Sequence, residues 1–298
     1  MDIWKDIKES FKEGSVITRL IYVNLAVFLV FRLLQVVFFL SGKPFHLLSP
    51  FMLPASPGEW LRQPWSLLTY MFLHFDFLHI LFNLLMLYWF GRIFLDYYTP
   101  RQLLGLYLLG GLAGGVLYML AYNILPVFSG MVTSTYLLGA SASVIAILLA
   151  GAFRDPGREI HLFLIGRVAL KYLALFLIVS YILGISASNP GGNLAHLGGA
   201  LAGWLFVSGS RRGRDLARPF YLAAEWLARL FPLLFRPFLH PRKQVRIIHR
   251  QPPRNDHDYN RQRAADQQEL NRILDKIGTE GYESLTTSEK ETLFRHGK

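Results

Sequence analysis

Six long apolar stretches, separated by short turns, constrain the fold of this chain more than any other feature. They cover residues 16–40, 78–94, 103–122, 138–153, 170–185 and 194–207. The first is long enough to cross about 30 Å of hydrocarbon as a helix. Hydrophobic residues make up 52% of the 298 residues, which is more than an ordinary soluble domain carries. The sequence therefore predicts an all-α polytopic membrane protein with a bundle of six transmembrane helices.

Positive charge is concentrated in alternate connections between these stretches. The turns after the second and fourth stretches and the segment after the sixth carry it, in Arg92, Arg101, Arg154, Arg158, Arg167, Lys171, Arg211, Arg212 and Arg214. The turns after the third and fifth stretches contain no Lys or Arg. By the positive-inside rule, both termini are expected in the cytoplasm, and the second, fourth and sixth spans are expected to run parallel, from outside to inside. We expect a multi-pass protein of the bacterial inner (plasma) membrane.

The chain divides into four predicted parts. Residues 1–15 are expected to form a cytoplasmic amphipathic helix, and residues 16–210 the six-span domain. Within the latter, residues 41–64 form a proline- and aromatic-rich loop, which we expect to fold and to embed in the interface, where Trp60 and Trp65 are favoured.

The remaining two parts are more polar. Residues 211–254 hold eleven Lys and Arg against two acids, interleaved with large apolar side chains, which predicts a basic segment on an anionic membrane surface. Residues 255–298 predict a small helical cytoplasmic tail domain. Its first helix is expected to end at Gly278, and a capping box of Thr286 and Glu289 is expected to open its second helix.

Polar side chains inside apolar spans are functional candidates, because an unpaired polar group in hydrocarbon is costly. His79 and Asn83 are four residues apart near the start of the second span, and Ser141 and His196 lie near the starts of the fourth and sixth. Because these spans are expected to be parallel, all four side chains should lie at a similar shallow depth on the outer side. A serine hydroxyl and an imidazole within about 3 Å can form a nucleophile and general base.

Three glycines accompany these residues. Gly199 and Gly203 are four residues apart in the span that carries His196, which predicts close packing of the sixth span against the fourth. Gly139, two residues before Ser141, is predicted to serve helix packing as well. The sequence contains no cysteine, and its histidines have no metal-ligand spacing, so we expect no cofactor and no metal.

The pattern resembles that of the rhomboid intramembrane serine proteases over about residues 15–210. The resemblance is carried by the family's second-span pattern of His74, His79 and Asn83, by Gly139-Ala140-Ser141, and by Ala195-His196 followed by Gly199 and Gly203. It implies a six-span fold in which Ser141 is the nucleophile and His196 the general base. It also implies that His79, Asn83 and the backbone N–H of Ser141 stabilise the oxyanion, and that the substrates are membrane proteins cut near the outer face.

The chain departs from the family's usual pattern at three positions. Ala142 follows the serine where glycine is usual, Ile145 stands where an aromatic residue often stacks on the histidine, and Trp65 is followed by Ser66 where the family often has arginine. No reacting group is removed by these changes. His74 and Asp76 are expected to be loop or interface residues and not catalysts.

Several alternatives stay open at this point. A catalytically inactive relative that binds or retains membrane-protein clients would have the same fold, and a transporter would place its polar site at the bilayer centre. A nucleic-acid partner is not expected, because the basic residues adjoin a membrane span. The expected partners are the lipid bilayer, transmembrane substrates and a cytoplasmic partner of the tail. A soluble α/β-hydrolase is excluded, because the serine lies in an apolar helical stretch without the Gly-x-Ser-x-Gly turn.

Overall fold

The computed structural model describes residues 3–162, 165–187, 189–239 and 256–296. Its helices are α1 (Ile3–Glu13), α2 (Val16–Leu40), α3 (Pro57–Trp60), α4 (Ser66–Thr69), α5 (Phe77–Leu95), α6 (Pro100–Ile124), α7 (Ser141–Arg154), α8 (Leu170–Gly184), α9 (Pro190–Arg211), α10 (Arg218–Leu239), α11 (Asp256–Glu280) and α12 (Thr287–His296). Short 3₁₀ turns occur at Ser49–Phe51, Tyr70–Phe72, Pro126–Met131 and Tyr282–Ser284. The chain forms two compact units, Met1–Phe235 and Arg236–Lys298.

The first unit is an all-α bundle whose long helices follow the predicted spans. Among the described residues, α2, α5 and α6 are long and apolar enough to cross a membrane, and α7 and α8 are shorter apolar helices. Helix α9 has 22 residues, but its glycines, Asn193 and His196 make it less apolar. Nearly every side chain of α7 is buried, so this helix is surrounded by protein.

Several span boundaries differ from those predicted, and two of them, the starts of the fourth and sixth spans, affect the site. The fourth span begins at Ser141 and not at residue 138, because Gly139 has φ +128°, which is incompatible with a helix. The sixth begins earlier than predicted, at Pro190, because Asn189 caps it by accepting the N–H of Gly192 at 3.0 Å. Proline suits the first helical position, where its missing N–H would have no partner.

Glycines let α6, α7 and α9 pack backbone against backbone. A Cβ on Gly199 would collide with the carbonyl oxygen of Ala142, and a Cβ on Gly203 would lie 2.5 Å from the carbonyl oxygen of Ala146. Both pairs advance by four residues in the same direction, so α7 and α9 run parallel, as the sequence predicted. A Cβ on Gly114 would lie 2.6 Å from the Cβ of Ala142 and 2.8 Å from the carbonyl oxygen of Ala195, so α6 joins this contact. We call the close contact of α6, α7 and α9 at these glycines the glycine seam.

Two small strand pairs were not predicted. Strand β1 (Leu53–Pro54) pairs antiparallel with β2 (Tyr136–Leu137), and β3 (Glu159–Leu162) pairs antiparallel with β4 (Gly166–Ala169). The first pair joins the loop after α2 to the segment just before Ser141. Leu53 is completely buried, so this loop is folded, as expected.

The C-terminal unit contains a helical hairpin around a few apolar side chains, including Ile273 and Leu285. The predicted end at Gly278 is wrong: α11 continues to Glu280, since a single glycine is tolerated within a helix, and the chain turns at Gly281, where φ is +81°. The predicted capping box is present, because the N–H of Glu289 donates to Thr286 Oγ1 and the N–H of Thr286 donates to Glu289 Oε2.

The predicted basic segment lies partly within the described residues. Helix α10 occupies its first half, and Glu225 on this helix forms an ion pair of 2.8 Å with Arg101 on α6. Residues 240–255, which hold the rest of the segment, lie outside the described part of the chain.

Candidate active site

A cavity of about 1040 Å³ opens among the starts of α5 and α7, the end of α8 and the first turns of α9. Its walls include all four side chains predicted to carry the chemistry, together with Gly139 and Tyr181. These side chains are His79, Asn83, Ser141 and His196. The structure therefore gathers residues that are up to 117 positions apart (196 minus 79) around one hollow.

Ser141 and His196 are in direct contact. Ser141 Oγ and His196 Nε2 are 2.7 Å apart, which is hydrogen-bond distance. The contact follows from the packing beside it, because the glycine seam fixes the spacing of α7 and α9 at Gly199, three residues after His196, and at Ala142, the residue after Ser141. With the proton on Nδ1, Nε2 is positioned to accept the serine proton.

Ser141 is the first residue of α7, so its own N–H has no acceptor within the helix. The partial positive charge of a helix N-terminus favours an anion at this point. Gly139, which was predicted at a helix–helix contact, lies instead in the turn before α7. Its N–H donates to the carbonyl oxygen of Tyr70 at 3.0 Å, and a Cβ on it would lie 2.9 Å from His79 Nε2. The prediction failed here because the positive φ of Gly139 places it outside any helix.

His79 has a defined tautomer. The backbone N–H of Phe75 lies 3.4 Å from His79 Nδ1, so Nδ1 is the acceptor and Nε2 of the neutral ring carries the proton. That Nε2 is on the side of the ring that faces Gly139. Asp76 caps α5 by accepting the backbone N–H of His79 at 2.8 Å. His79 therefore presents a hydrogen-bond donor to the turn that carries Ser141.

Asn83 lies one turn further along the same face of α5. It is buried, and its Nδ2 donates to the carbonyl oxygen of His79 at 2.8 Å. One amide hydrogen is used in that bond, and the amide has a second hydrogen to donate. The amide lines the cavity, which is the placement that the sequence pattern predicted.

His74 lies in the loop before α5, as expected, but this loop residue is deeply buried. It is only 5% exposed, and its ring lies 5.1 Å from that of His79 in an edge-on arrangement. Neither of its nitrogens has a hydrogen-bond partner among the described residues. The folding of the segment before α5 buries it, which hydropathy did not predict because that segment is not itself a span.

Two residues near the site were missed by sequence reasoning. Arg32 in α2 donates to the carbonyl oxygen of Phe75 and, at 2.6 Å, to Gln35 Oε1, so it holds the turn that supports His79. A charge in an apolar span was the available signal, but its partner is far away in sequence. Tyr181 in α8 contacts the His196 ring, and nothing in its local sequence marked it.

Comparison with known proteins places these residues in one family region. A family model described as "Rhomboid domain" matches residues 61–212, which include Ser141, His196, His79 and Asn83. "RHOMBOID-like protein 12, mitochondrial" from Arabidopsis thaliana is 30% identical over 220 residues. That match covers 71% of this chain and 63% of the relative, so the chain spans less than two thirds of the relative's length.

A second match concerns the tail. Residues 255–298 match a family of unknown function, DUF6576. This match begins at the residue where the change in composition predicted a separate tail. With the bundle, the site region and the match over residues 61–212 taken together, the chain belongs to the rhomboid family of membrane proteins.

Proposed function

We propose that this protein is an intramembrane serine endopeptidase that cleaves transmembrane protein substrates near the outer face of the membrane. The observation that supports it is the 2.7 Å contact between Ser141 Oγ and His196 Nε2 in a cavity large enough for a peptide segment. A hydroxyl becomes a useful nucleophile when a base at this distance takes its proton during attack.

In the proposed reaction, His196 Nε2 accepts the proton of Ser141 as Oγ attacks the scissile carbonyl carbon. The imidazolium then donates this proton to the leaving amine as the peptide C–N bond breaks, which leaves an acyl-enzyme. Water attacks the ester with the same histidine as base, and the proton returns to Ser141. One peptide bond and one water are thus converted into an amine and a carboxylic acid, and the enzyme is regenerated.

The negative charge on the carbonyl oxygen needs donors in each tetrahedral intermediate. We assign this role to the N–H of Ser141 at the start of α7, to His79 Nε2–H and to the amide of Asn83. The support is their common position on the cavity wall and the tautomer that Phe75 imposes on His79. Donors fixed in advance stabilise the charge without reorganisation.

Probe labelling tests this proposal. A fluorophosphonate should label the purified wild type in detergent or lipid, and Ser141→Ala should abolish the labelling. Ser143→Ala is the matched control, because Ser143 lies two residues further on, is fully buried and lies outside the described cavity wall. It should label like the wild type.

The opposite results would favour the other candidate. An unlabelled wild type, or equal labelling of wild type and Ser141→Ala, would indicate a catalytically inactive relative that binds or retains membrane-protein clients.

We further propose that both termini lie in the cytoplasm of a bacterial cell, with the active site near the outer face of the inner membrane and the tail available to a cytoplasmic partner. The distribution of Lys and Arg among the turns supports this orientation. A fluorescent protein that folds only in the cytoplasm, fused after residue 298, should fluoresce. A dark but inserted fusion would reverse the proposed orientation.

A further inference from the structure

The His196 ring has one hydrogen bond and one aromatic neighbour. Its Nε2 meets Ser141, while its Nδ1 is buried and has no hydrogen-bond partner among the described residues. A histidine base is usually oriented by a group bound to its second nitrogen. No described residue restrains rotation of the ring in this way, so packing against its face is the restraint that the structure shows.

Tyr181 supplies that packing. The centroids of the Tyr181 and His196 rings are 4.5 Å apart, and their planes are inclined by 59°. A tilted pair at this distance is favourable for aromatic rings. Tyr181 also lines the cavity, so its ring lies beside the reacting groups and not on the lipid-facing side of α8.

The serine helix offers no aromatic ring for the same purpose. Ile145 is one turn after Ser141, almost fully buried, and it belongs to an apolar cluster with Phe90 and Ala174. It fills space but has no aromatic face. The support for the imidazole therefore comes from a different helix than the one that carries the nucleophile.

Helix α8 has few buried residues. Its buried residues are Leu170 and Ala174, both in its first half, whereas Ile182 and Leu183 beyond Tyr181 are 53% and 69% exposed. At this end of α8, Asn193 Nδ2 donates to the carbonyl oxygen of Gly184 at 2.7 Å. This bond, the ring pair and the packing of Ile178 against the apolar cluster hold the second half of α8.

We propose that Tyr181 is a positioning residue, whose ring holds the His196 imidazole in the orientation in which Nε2 accepts the Ser141 proton. It does from α8 what an aromatic side chain at position 145 would do from α7. This inference rests on the proposed protease function.

Three substitutions test the inference. Tyr181→Leu should slow fluorophosphonate labelling of Ser141 by about tenfold to a hundredfold, because a misplaced catalytic group costs up to about that much. In substrate cleavage it should lower kcat and leave KM nearly unchanged. Tyr181→Phe keeps the ring and should retain most of the wild-type rate. Tyr172→Leu is the matched control, because Tyr172 is on the same helix, is 61% exposed and is outside the cavity wall.

A spectroscopic measurement separates this inference from the proposed function. In protein labelled with ¹³C-histidine, the Cε1–H resonance of His196, assigned with His196→Gln, should move in Tyr181→Leu as the ring current of Tyr181 is lost. It should not move in Tyr172→Leu. A wild type that does not label but shows this shift would overturn the protease function and leave the ring support standing. A labelled wild type whose rate, kcat and resonance are unchanged in Tyr181→Leu would overturn the role of Tyr181 alone.

Discussion

The membrane bundle and the C-terminal unit hold a buried ionisable side chain by different kinds of contact. In the bundle, His196 is held by a hydroxyl, an aromatic ring and close-packed backbone, with no hydrogen-bond partner on Nδ1 among the described residues. In the C-terminal unit, Glu289 is only 8% exposed and accepts hydrogen bonds from Thr286, from Lys276 at 3.1 Å and from Arg272 at 3.2 Å.

The difference reflects the two environments. Charged partners are expensive inside a membrane, so a bundle fixes a reactive group by packing and by neutral donors. A small water-exposed hairpin has little apolar area to bury and gains from a carboxylate that caps one helix and pairs with the other. Polar groups in the bundle therefore keep hydrogen-bonding capacity that a substrate can use, whereas the polar groups around Glu289 stabilise the folded unit.

The largest effect is expected from removing a neutral donor from the bundle. His79→Ala should lower the rate of substrate cleavage by about 10²–10³, the usual cost of one lost oxyanion donor. The fold should persist, since the N-cap of α5 uses the backbone N–H of His79 and not its ring. The measurement is kcat/KM on a cleavable transmembrane substrate.

A matched control for this change is His46→Ala, because His46 is an exposed histidine of the loop after α2. It should cleave at the wild-type rate. If His79→Ala also cleaved at that rate, the site in the bundle would not depend on neutral donors. The proposed difference between the bundle and the C-terminal unit would then be wrong.

The second effect tests whether backbone packing sets the distance between Ser141 and His196. Gly199→Ala would push its Cβ into the carbonyl oxygen of Ala142, so α9 must move away from α7. Overpacking of this kind destabilises a protein by about 1–3 kcal/mol, and a displacement near 1 Å can cost about a hundredfold in rate. We expect slower probe labelling and a lower unfolding temperature in detergent.

Gly130→Ala is the control for added bulk, because no heavy atom lies within 4 Å of a Cβ at that position. Wild-type labelling by Gly199→Ala would show that the seam does not set the distance between Ser141 and His196.

The third effect separates backbone strain from collision with the His79 ring. Gly139→Ala would place a side chain at φ +128° and 2.9 Å from His79 Nε2. Strain alone costs about 1–3 kcal/mol, which is about tenfold or more if it is released by moving the turn that carries Ser141. Gly42→Ala shares a positive φ of +67° but meets no atom within 4 Å, so it should affect stability without slowing labelling. Equal labelling rates for the two variants would remove the specific role of the Gly139 turn.

Sequence reasoning found the parts of the site that local pattern specifies. Ser141 and His196 lie in apolar stretches with small residues at helical spacing, which predicted the close packing of the two spans, and the distribution of Lys and Arg predicted that the spans run parallel. Non-local features were missed. The two-residue strand pair at Leu53 and Leu137 has no sequence signal of its own. Its two strands are far apart in the sequence, so they pair only when the rest of the fold brings them together. Likewise, a tyrosine in an apolar span looks like lipid-facing surface until its neighbours are known.

The smallest effect is expected in the C-terminal unit. Glu289→Gln keeps the shape of the side chain but removes its charge, so the bonds from Lys276 and Arg272 lose their charge-assisted character. Amide exchange at Ile273 and Leu285 in the full chain should become faster, while probe labelling of Ser141 should not change.

Acid should have the same effect on the wild type, and its direction follows from linkage. The hydrogen bonds that Glu289 accepts from Thr286, and then from Lys276, lower the pKa of its carboxyl from 4.5 to about 2. Since the folded state has the lower pKa, the stabilisation is fully present above about pH 5 and is lost as pH falls from 4.5 toward 2. Protection of the Leu285 amide should therefore decline across that range in the wild type. In Glu289→Gln it should decline less, because the carboxyl whose protonation removes the stabilisation is absent. Identical declines in the two proteins would show that the charge of Glu289 does not stabilise this unit. The proposed contrast between the C-terminal unit and the bundle would then be wrong.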